Sequence, residues 1–483
     1  MDARVLLTVL LTVCLAEDTL AVNPGFKTTI TSKGLDYIRQ VGIPILEQSL
    51  SSITIPDISG KAGTPIGSIS YSLSSIKLSG LTIPTSTLTS VPGKGILVQA
   101  SSISMTANAN WHYRENSWPH VSDSGSCDVS VSSVSLTMSV LVGADSKGHA
   151  TLSTTGCSLS IEKLDIHFHG GASWLYNLFA SSIAGGLKGS IQQQVCAAAT
   201  EAINKQGNAA LESLPIVVKV DKTSEINFAL LTTPTFSTTY VETDHKGEFF
   251  LIAKPVECPY TPAPLPPVTE SGNMMYVWLT EYLADSAGFV YQQAGILNYN
   301  VTADMVPKSL PLQLNTSSFR LIVPALYNKY PNMAMMLGLV TVRPPNLTIN
   351  STSADFVLPG NVDVYVVNST TKQNIPVFTL GINVLADVKV KVAPVGGKEI
   401  VSANLTFLKA SINLVKSDIG QFSVFVLQTA ANLLCTAFVI PTVNQYANAG
   451  IPIPIVDGIS FVNPSISFGQ GYVLVSTDIN YKP

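Results

Sequence analysis

Two stretches of this chain repeat one pattern. LESLPIVVKVD (Leu211–Asp221) and ANAGIPIPIVDG (Ala447–Gly458) each follow a helix-like segment, set proline among apolar residues and reach an aspartate. A phrase doubled about half a chain apart restricts the fold to two related units. Between the copies, residues 255–272 read PVECPYTPAPLPPVTESG, with six prolines and almost no periodicity. Proline-rich sequence is stiff and extended, so this segment is expected to space two domains. The boundaries are a leader at 1–21, a first arm at 22–254, the linker at 255–272 and a second arm at 273–483.

Each half repeats the same order of parts. The first opens with TSKGLDYIRQVGIPILEQSL, in which Leu35, Ile38, Val41, Ile45 and Leu46 form a helical apolar stripe. The second opens with MMYVWLTEYLADSAGFVYQQAGIL, where Val277, Tyr282, Ala287, Val290 and Tyr291 follow helical spacing loosely. Short strands are expected next. ISYSLSSIKLSGLTI (Ile69–Ile83) and ANLTFLKASINLV (Ala403–Val415) alternate apolar with polar residues, as half-exposed antiparallel strands do. Each half then carries a late helix. In the first, Leu175, Phe179, Ile183, Leu187, Ile191 and Val195 recur at four-residue steps, and the second spans about 420–449. The pattern is α+β, a tandem duplication of helix, sheet, helix and returning strand.

No charged residue lies between Ile419 and Val456, so a membrane-spanning helix is one reading of the second late helix. Against it, Gln421, Ser423, Gln428, Thr429, Asn432 and Thr436 punctuate the run and Pro441 ends it. Amides inside a bilayer are costly without partners. A helix buried on both sides, or with one face on a sheet and the other on bound lipid, fits better.

MDARVLLTVLLTVCLAEDTLA at the start has Arg4, an apolar stretch Val5–Leu15 and small residues Ala16 and Ala21 for cleavage. It reads as a secretory leader, because about eleven apolar residues are too few to span a bilayer. Export leaves Cys127, Cys157, Cys196, Cys258 and Cys435, an odd number without CxxC spacing. Sequons at Asn300, Asn315, Asn346, Asn350, Asn368 and Asn404 are expected to carry glycans, all in the second half.

Hydrophobic residues make up 46% of the chain and charged residues only 12%, about half the usual charged share. Such a chain can fill a core and still line a cavity. The net charge of −4 excludes a generally cationic nucleic-acid binder. Catalysis finds little footing, with no GxSxG, GxxxxGK[ST] or HExxH. In DIHFH, Asp165, His167 and His169 share one strand face and offer a metal three ligands. A solvated strand face is the plainer reading, and no metal site is assigned.

Further motifs recur in order on both sides of the linker: VNPGF (Val22–Phe26), KGLDY (Lys33–Tyr37), IPD (Ile55–Asp57), SVPGKGI from Ser90 and KGEF (Lys246–Phe249). They continue with AGFVYQQAGIL (Ala287–Leu297), MVPK (Met305–Lys308), YPNM (Tyr330–Met333) and SDIGQF (Ser417–Phe422). Over nearly its whole length the chain resembles the family of bactericidal/permeability-increasing protein and lipopolysaccharide-binding protein, with the phospholipid and cholesteryl ester transfer proteins as siblings. The resemblance implies a boomerang of two arms, each a twisted antiparallel sheet wrapped around long helices, joined by a shared central sheet. It implies a lipid in each arm, a bound phospholipid rather than a cofactor, and a disulfide between Cys157 and Cys196.

Leu35, Ile38, Ile45, Leu175, Leu178, Phe179 and Ile183 are the candidate wall of the first arm's pocket, with ordinary core as the bland alternative for each. The family's antibacterial members carry clustered cations at the tip of the first arm. Here the corresponding positions include Ser51, Ser52 and Thr54, leaving Lys61, Lys94 and Arg114, with Trp111 and Trp118 as interfacial aromatics. The leading expectation is a secreted protein of innate immunity. It would bind lipopolysaccharide or phospholipid, with antibacterial action at the Gram-negative outer-membrane surface. The alternative is an extracellular phospholipid carrier with no bacterial role.

Overall fold

The computed structural model describes residues 23–51, 53–65, 67–170, 180–269, 271–306, 308, 312–455 and 458–482. Each half opens on a strand followed directly by a helix. Phe26–Thr31 leads into helix α1 (Ser32–Ser51); farther on come α2 (Ala180–Glu201), α3 (Glu281–Gln293) and α4 (Val424–Ala447). Met275–Thr280 leads into α3, so Val277 belongs to a strand and not to the helical stripe expected there. The two opening strands pair with each other, antiparallel, with Phe26 opposite Leu279 and Ile30 opposite Met275.

That pairing is the middle of a six-stranded sheet shared by the halves. Its order is Thr235–Phe236, Tyr240–His245, Phe26–Thr31, Met275–Thr280, Tyr472–Tyr481 and Ile459–Gly469. Lys27 is buried in it and forms ion pairs with Glu242 at 2.9 Å and Asp244 at 3.6 Å. A buried ammonium is tolerable only when paired in this way. The linker packs on the same junction. Leu265 and Val268 lie against Tyr276, Trp278 and Leu474, and the Asn23 amide donates to the Pro262 carbonyl at 3.0 Å.

The first arm's sheet is built on long strands rather than the short ones expected. Gly67–Thr82, Gly95–Glu115, Ser122–Ala144 and Ala150–His169 run side by side. Alternation of serine or threonine with apolar residues gives each strand one wet and one dry face. Ser75, Ser102 and Ser133 have left-handed backbones at or beside breaks in register. Such bulges increase local twist and let a long sheet curl. Against the dry face lies α2, with Ile183, Leu187, Ile191 and Val195 all at most 3% exposed. Cys157 on the last long strand is bonded to Cys196 on α2, as the resemblance implied.

The second arm repeats the plan with Ala334–Thr341, Ala354–Val367, Asn374–Val395 and Lys398–Ser417. Helix α4 buries Leu427, Ala431, Cys435 and Ile440 against this sheet. By length and composition α4 qualifies as a membrane span. Its amides, however, serve the sheet: Asn444 accepts from the Leu405 amide at 2.7 Å and donates back to the Leu405 carbonyl at 2.9 Å. Gln428 donates to the Ala410 carbonyl at 2.8 Å. Gln428 and Asn444 thereby find the partners a bilayer would deny them. Cys435 is fully buried, and burial pushes its thiol up to about 12.

Candidate functional site

A helix laid along a twisted sheet touches it at intervals and leaves gaps between. In the second arm the gaps are large and apolar. The largest, about 210 Å³, lies beside the shared sheet and is enclosed by Leu279, Phe356, Val388, Leu405 and Tyr446 among others. Apolar cavities of about 150 Å³ lined by Leu, Ile and Phe stay dry and accept apolar ligands. Both copies of the doubled phrase border this space: Val220 follows the first strand copy, and Gly450 and Ile451 open the second.

Two smaller gaps continue along α4, of about 50 and 90 Å³. The first shares Leu297 and Val443 with the large cavity, and shares Leu434 and Phe438 with the distal one. Helix α4 therefore roofs a row of three adjoining apolar gaps, the corridor of this arm, from the junction to its far end. Its π-helical turn at Cys435–Val439 supplies Phe438, which lines both outer gaps.

The polar groups of this site line its junction end. Tyr291 on α3 donates to Asp221 at 2.7 Å, and its ring lies 5.1 Å from that of Tyr446. Burial pushes the Tyr291 phenol up. Burial also pushes Asp221 up, but hydrogen bonds from Tyr291, the Thr223 and Ser224 amides and the Ser224 hydroxyl outweigh it and hold the carboxyl below its ordinary range. Asp285, on the same helix, is raised to about 6 by burial, although the Leu347 amide donates to it at 2.8 Å. Nothing here resembles a nucleophile with its base. Among the described residues no group of three His, Cys, Asp or Glu side chains is arranged to hold a metal ion. Asp165, His167 and His169 do share an exposed strand face, with His169 paired to Asp128 at 2.7 Å.

The first arm's candidates are dispersed. Leu175, Leu178 and Phe179 lie outside the described residues. Leu35 is buried near the base of α1, whereas Ile38 and Ile45 are 39% and 53% exposed. The stripe drawn through Ile38 and Ile45 is corrected: α1 turns Leu35, Ile43, Leu46 and Leu50 inward. Ile183 belongs to the helix–sheet core with Leu187 and Leu73.

The tip candidates also separate. Lys61 is opposite Ser70, and Ser70 is opposite Arg114, so these two cations share an exposed row at the distal end. Trp118, 88% exposed, crowns the neighbouring turn. Lys94 stands in the turn before Gly95, at the opposite end of Arg114's own strand, roughly 60 Å away at about 3.3 Å per residue. That end abuts the shared sheet, where Ser90 donates to the Tyr240 carbonyl at 3.2 Å. Trp111 is 2% exposed, donates to the Ser126 carbonyl at 2.9 Å and packs edge-on to Phe168. It is a core residue, because its position on the strand places it on the dry face.

The sequence suggested lipid on one face of the second late helix but named no wall residue in the second arm. The signal was present in the charge-free run 419–456, whose composition suits a helix with lipid on one face. The sheet residues Phe356, Val388 and Leu405 had no such signal, since alternation marks a dry face and not where the helix leaves it.

Of the sequons, Asn300, Asn346 and Asn404 are exposed, whereas Asn315, Asn350 and Asn368 are half-buried. Asn350 uses its amide nitrogen to donate to Ser353 at 2.9 Å.

Comparison with known proteins places this architecture. Residues 34–213 match the N-terminal domain of the LBP / BPI / CETP family and residues 218–481 match its C-terminal domain. A bactericidal permeability-increasing protein of Sebastes schlegelii is 32% identical over 470 residues, covering 97% of this chain and 98% of the relative. A phospholipid transfer protein of Mus musculus is 28% identical, covering 95% and 90% respectively. A crystal structure of lipopolysaccharide binding protein superposes with a TM-score of 0.66 at 26% identity, covering 96% of this chain and all of that one. The two arms, their shared sheet and these matches together make the chain a member of the LBP / BPI / CETP family.

Proposed function

We propose that this chain is an exported, non-enzymatic lipid-binding protein of host defence, which takes acyl chains of phospholipid or lipopolysaccharide into the second-arm corridor. The observation carrying this reading is the 210 Å³ apolar cavity between α3, α4 and the sheet. Each buried CH₂ contributes about 0.8 kcal/mol, so even one acyl chain is held firmly. Relatives named for lipopolysaccharide binding and for phospholipid transfer have lipid as partner, and another is named for bactericidal action. Export through the leader and glycans on the exposed sequons belong to the same reading.

The separation of Lys94 from Lys61 and Arg114 favours a second reading, phospholipid carriage without a bacterial role. Lipopolysaccharide phosphates are held by clustered cations, and this tip offers few. The test is lipid extracted from the secreted protein and identified by mass spectrometry, beside an Ala447→Phe variant that fills the cavity. Loss of lipid in the variant supports the reading, and lipid-free wild-type protein overturns it. Lipopolysaccharide binding that weakens with salt would select host defence, while salt-independent binding equal to that of phosphatidylcholine would select carriage.

A further inference from the structure

Three segments converge on the far end of the corridor, and each turns one residue inward and a neighbour outward. Val306, Phe319 and Leu427 line the distal 90 Å³ gap. Beside them, Met305 is 43% exposed, Leu321 is 93% exposed, and Phe425 and Val426 are 83% and 47% exposed. Large apolar side chains singly exposed are ordinary, but here they ring the end of an apolar space that continues inward.

The ring has no charge of its own along α4, since 419–456 carries none, and none of the six sequons falls in that run. Cations stand just behind it. Arg320, next to Leu321, lies over the Tyr327 ring at 5.2 Å. Lys329 lies 5.4 Å from the Tyr330 ring centre and donates to the Asp418 carbonyl at 2.9 Å. Lys416 approaches Asp418 at 3.7 Å. Apolar tip, aromatic shoulder and a collar of long cations follow the order of a phospholipid leaflet from acyl region to phosphate. Phe422, packed edge-on to Phe378 at 5.0 Å between centroids, fixes the base of the projecting segment.

We infer that the distal end of the second arm is a docking surface for a phospholipid membrane, where Leu321, Phe425 and Val426 enter the acyl region and the corridor opens onto it. This rests on the lipid-binding reading of the corridor and adds the route by which lipid arrives. The collar of Arg320, Lys329 and Lys416 faces headgroup phosphates, and of the sequons Asn315 stands nearest, four residues before Phe319.

The test uses the full secreted protein and phosphatidylcholine vesicles in a flotation assay. Leu321→Asp combined with Phe425→Asp is expected to weaken vesicle binding by about a hundredfold, roughly tenfold for each apolar side chain withdrawn. Both residues are exposed, so thermal melting should match the wild type. Phe425→Trp supplies a second readout: its emission should shift to the blue with vesicles and be quenched by brominated acyl chains. Ala447→Phe should lose extractable lipid yet bind vesicles normally, so failure of the cavity reading and failure of docking are distinguishable. Unchanged vesicle binding by the double variant overturns the inference. So does a wild-type dimer that the double variant dissociates, which would make a second copy the occupant.

Discussion

The hydroxyl of Tyr291 on α3 donates to Asp221 at 2.7 Å, joining the helix that opens the second arm to the aspartate ending the first doubled phrase. Tyr291→Phe removes that donor and little volume. The expected cost is about 1 kcal/mol at neutral pH. Because Asp221 titrates below its ordinary range, its contribution is present above pH about 4 and fades as acid protonates it. The gap between variant and wild type should therefore narrow from pH 7 to pH 3 in urea titrations. An equal gap at both would refute the assignment.

Asp285 works in the opposite direction. Its folded value of about 6 lies above the ordinary 3.8, so the folded state binds the proton more tightly. Its contribution is complete below pH 3.8 and is lost as pH rises through 6. Asp285→Asn keeps an acceptor for the Leu347 amide and removes the buried charge. It should gain on the order of 2 kcal/mol at pH 7 and little at pH 4, read as a difference in melting temperature at the two values.

The two tryptophans of the first arm make a contrasting pair. Trp111→Ala empties a buried site and should cost about 3–5 kcal/mol. Trp118→Ala changes an exposed turn and should stay within about 0.5 kcal/mol. Equal destabilisation in denaturant would contradict the core placement of Trp111.

Replacing Cys157 and Cys196 together by serine opens a loop of 39 residues. The chain-entropy relation gives a loss of about 4 kcal/mol, borne by the first arm. Hydrogen exchange should quicken along α2 and leave the α4 amides unchanged; uniform quickening would mean the arms unfold as one.

Much of this architecture was legible because periodicity reports burial. Ile183, Leu187, Ile191 and Val195 on four-residue steps, and the alternation through Ile69–Ile83, translate directly into a dry helix face and a dry sheet face. What periodicity lacks is direction in space. Lys94 and Arg114 bracket one strand, and nothing local tells that its ends are an arm's length apart. Trp111 alternates correctly as a dry-face residue, and only its aromatic type suggested an interface. The corridor's sheet wall was hidden for a related reason: it lies where α4 and the sheet diverge, a property of two elements jointly and of neither sequence alone.

The antiparallel contact between Phe26–Thr31 and Met275–Thr280 has a temporal side. Roughly 250 residues separate the partners, and at about 5–20 residues per second the ribosome needs on the order of 10–50 seconds to deliver the second after the first. Throughout that interval one edge of the opening strand has no mate. Closure of so distant a contact is slow by nature. Maturation of the nascent chain should therefore wait on synthesis of its second half, and polypeptides truncated before Met275 should remain clients of the folding machinery.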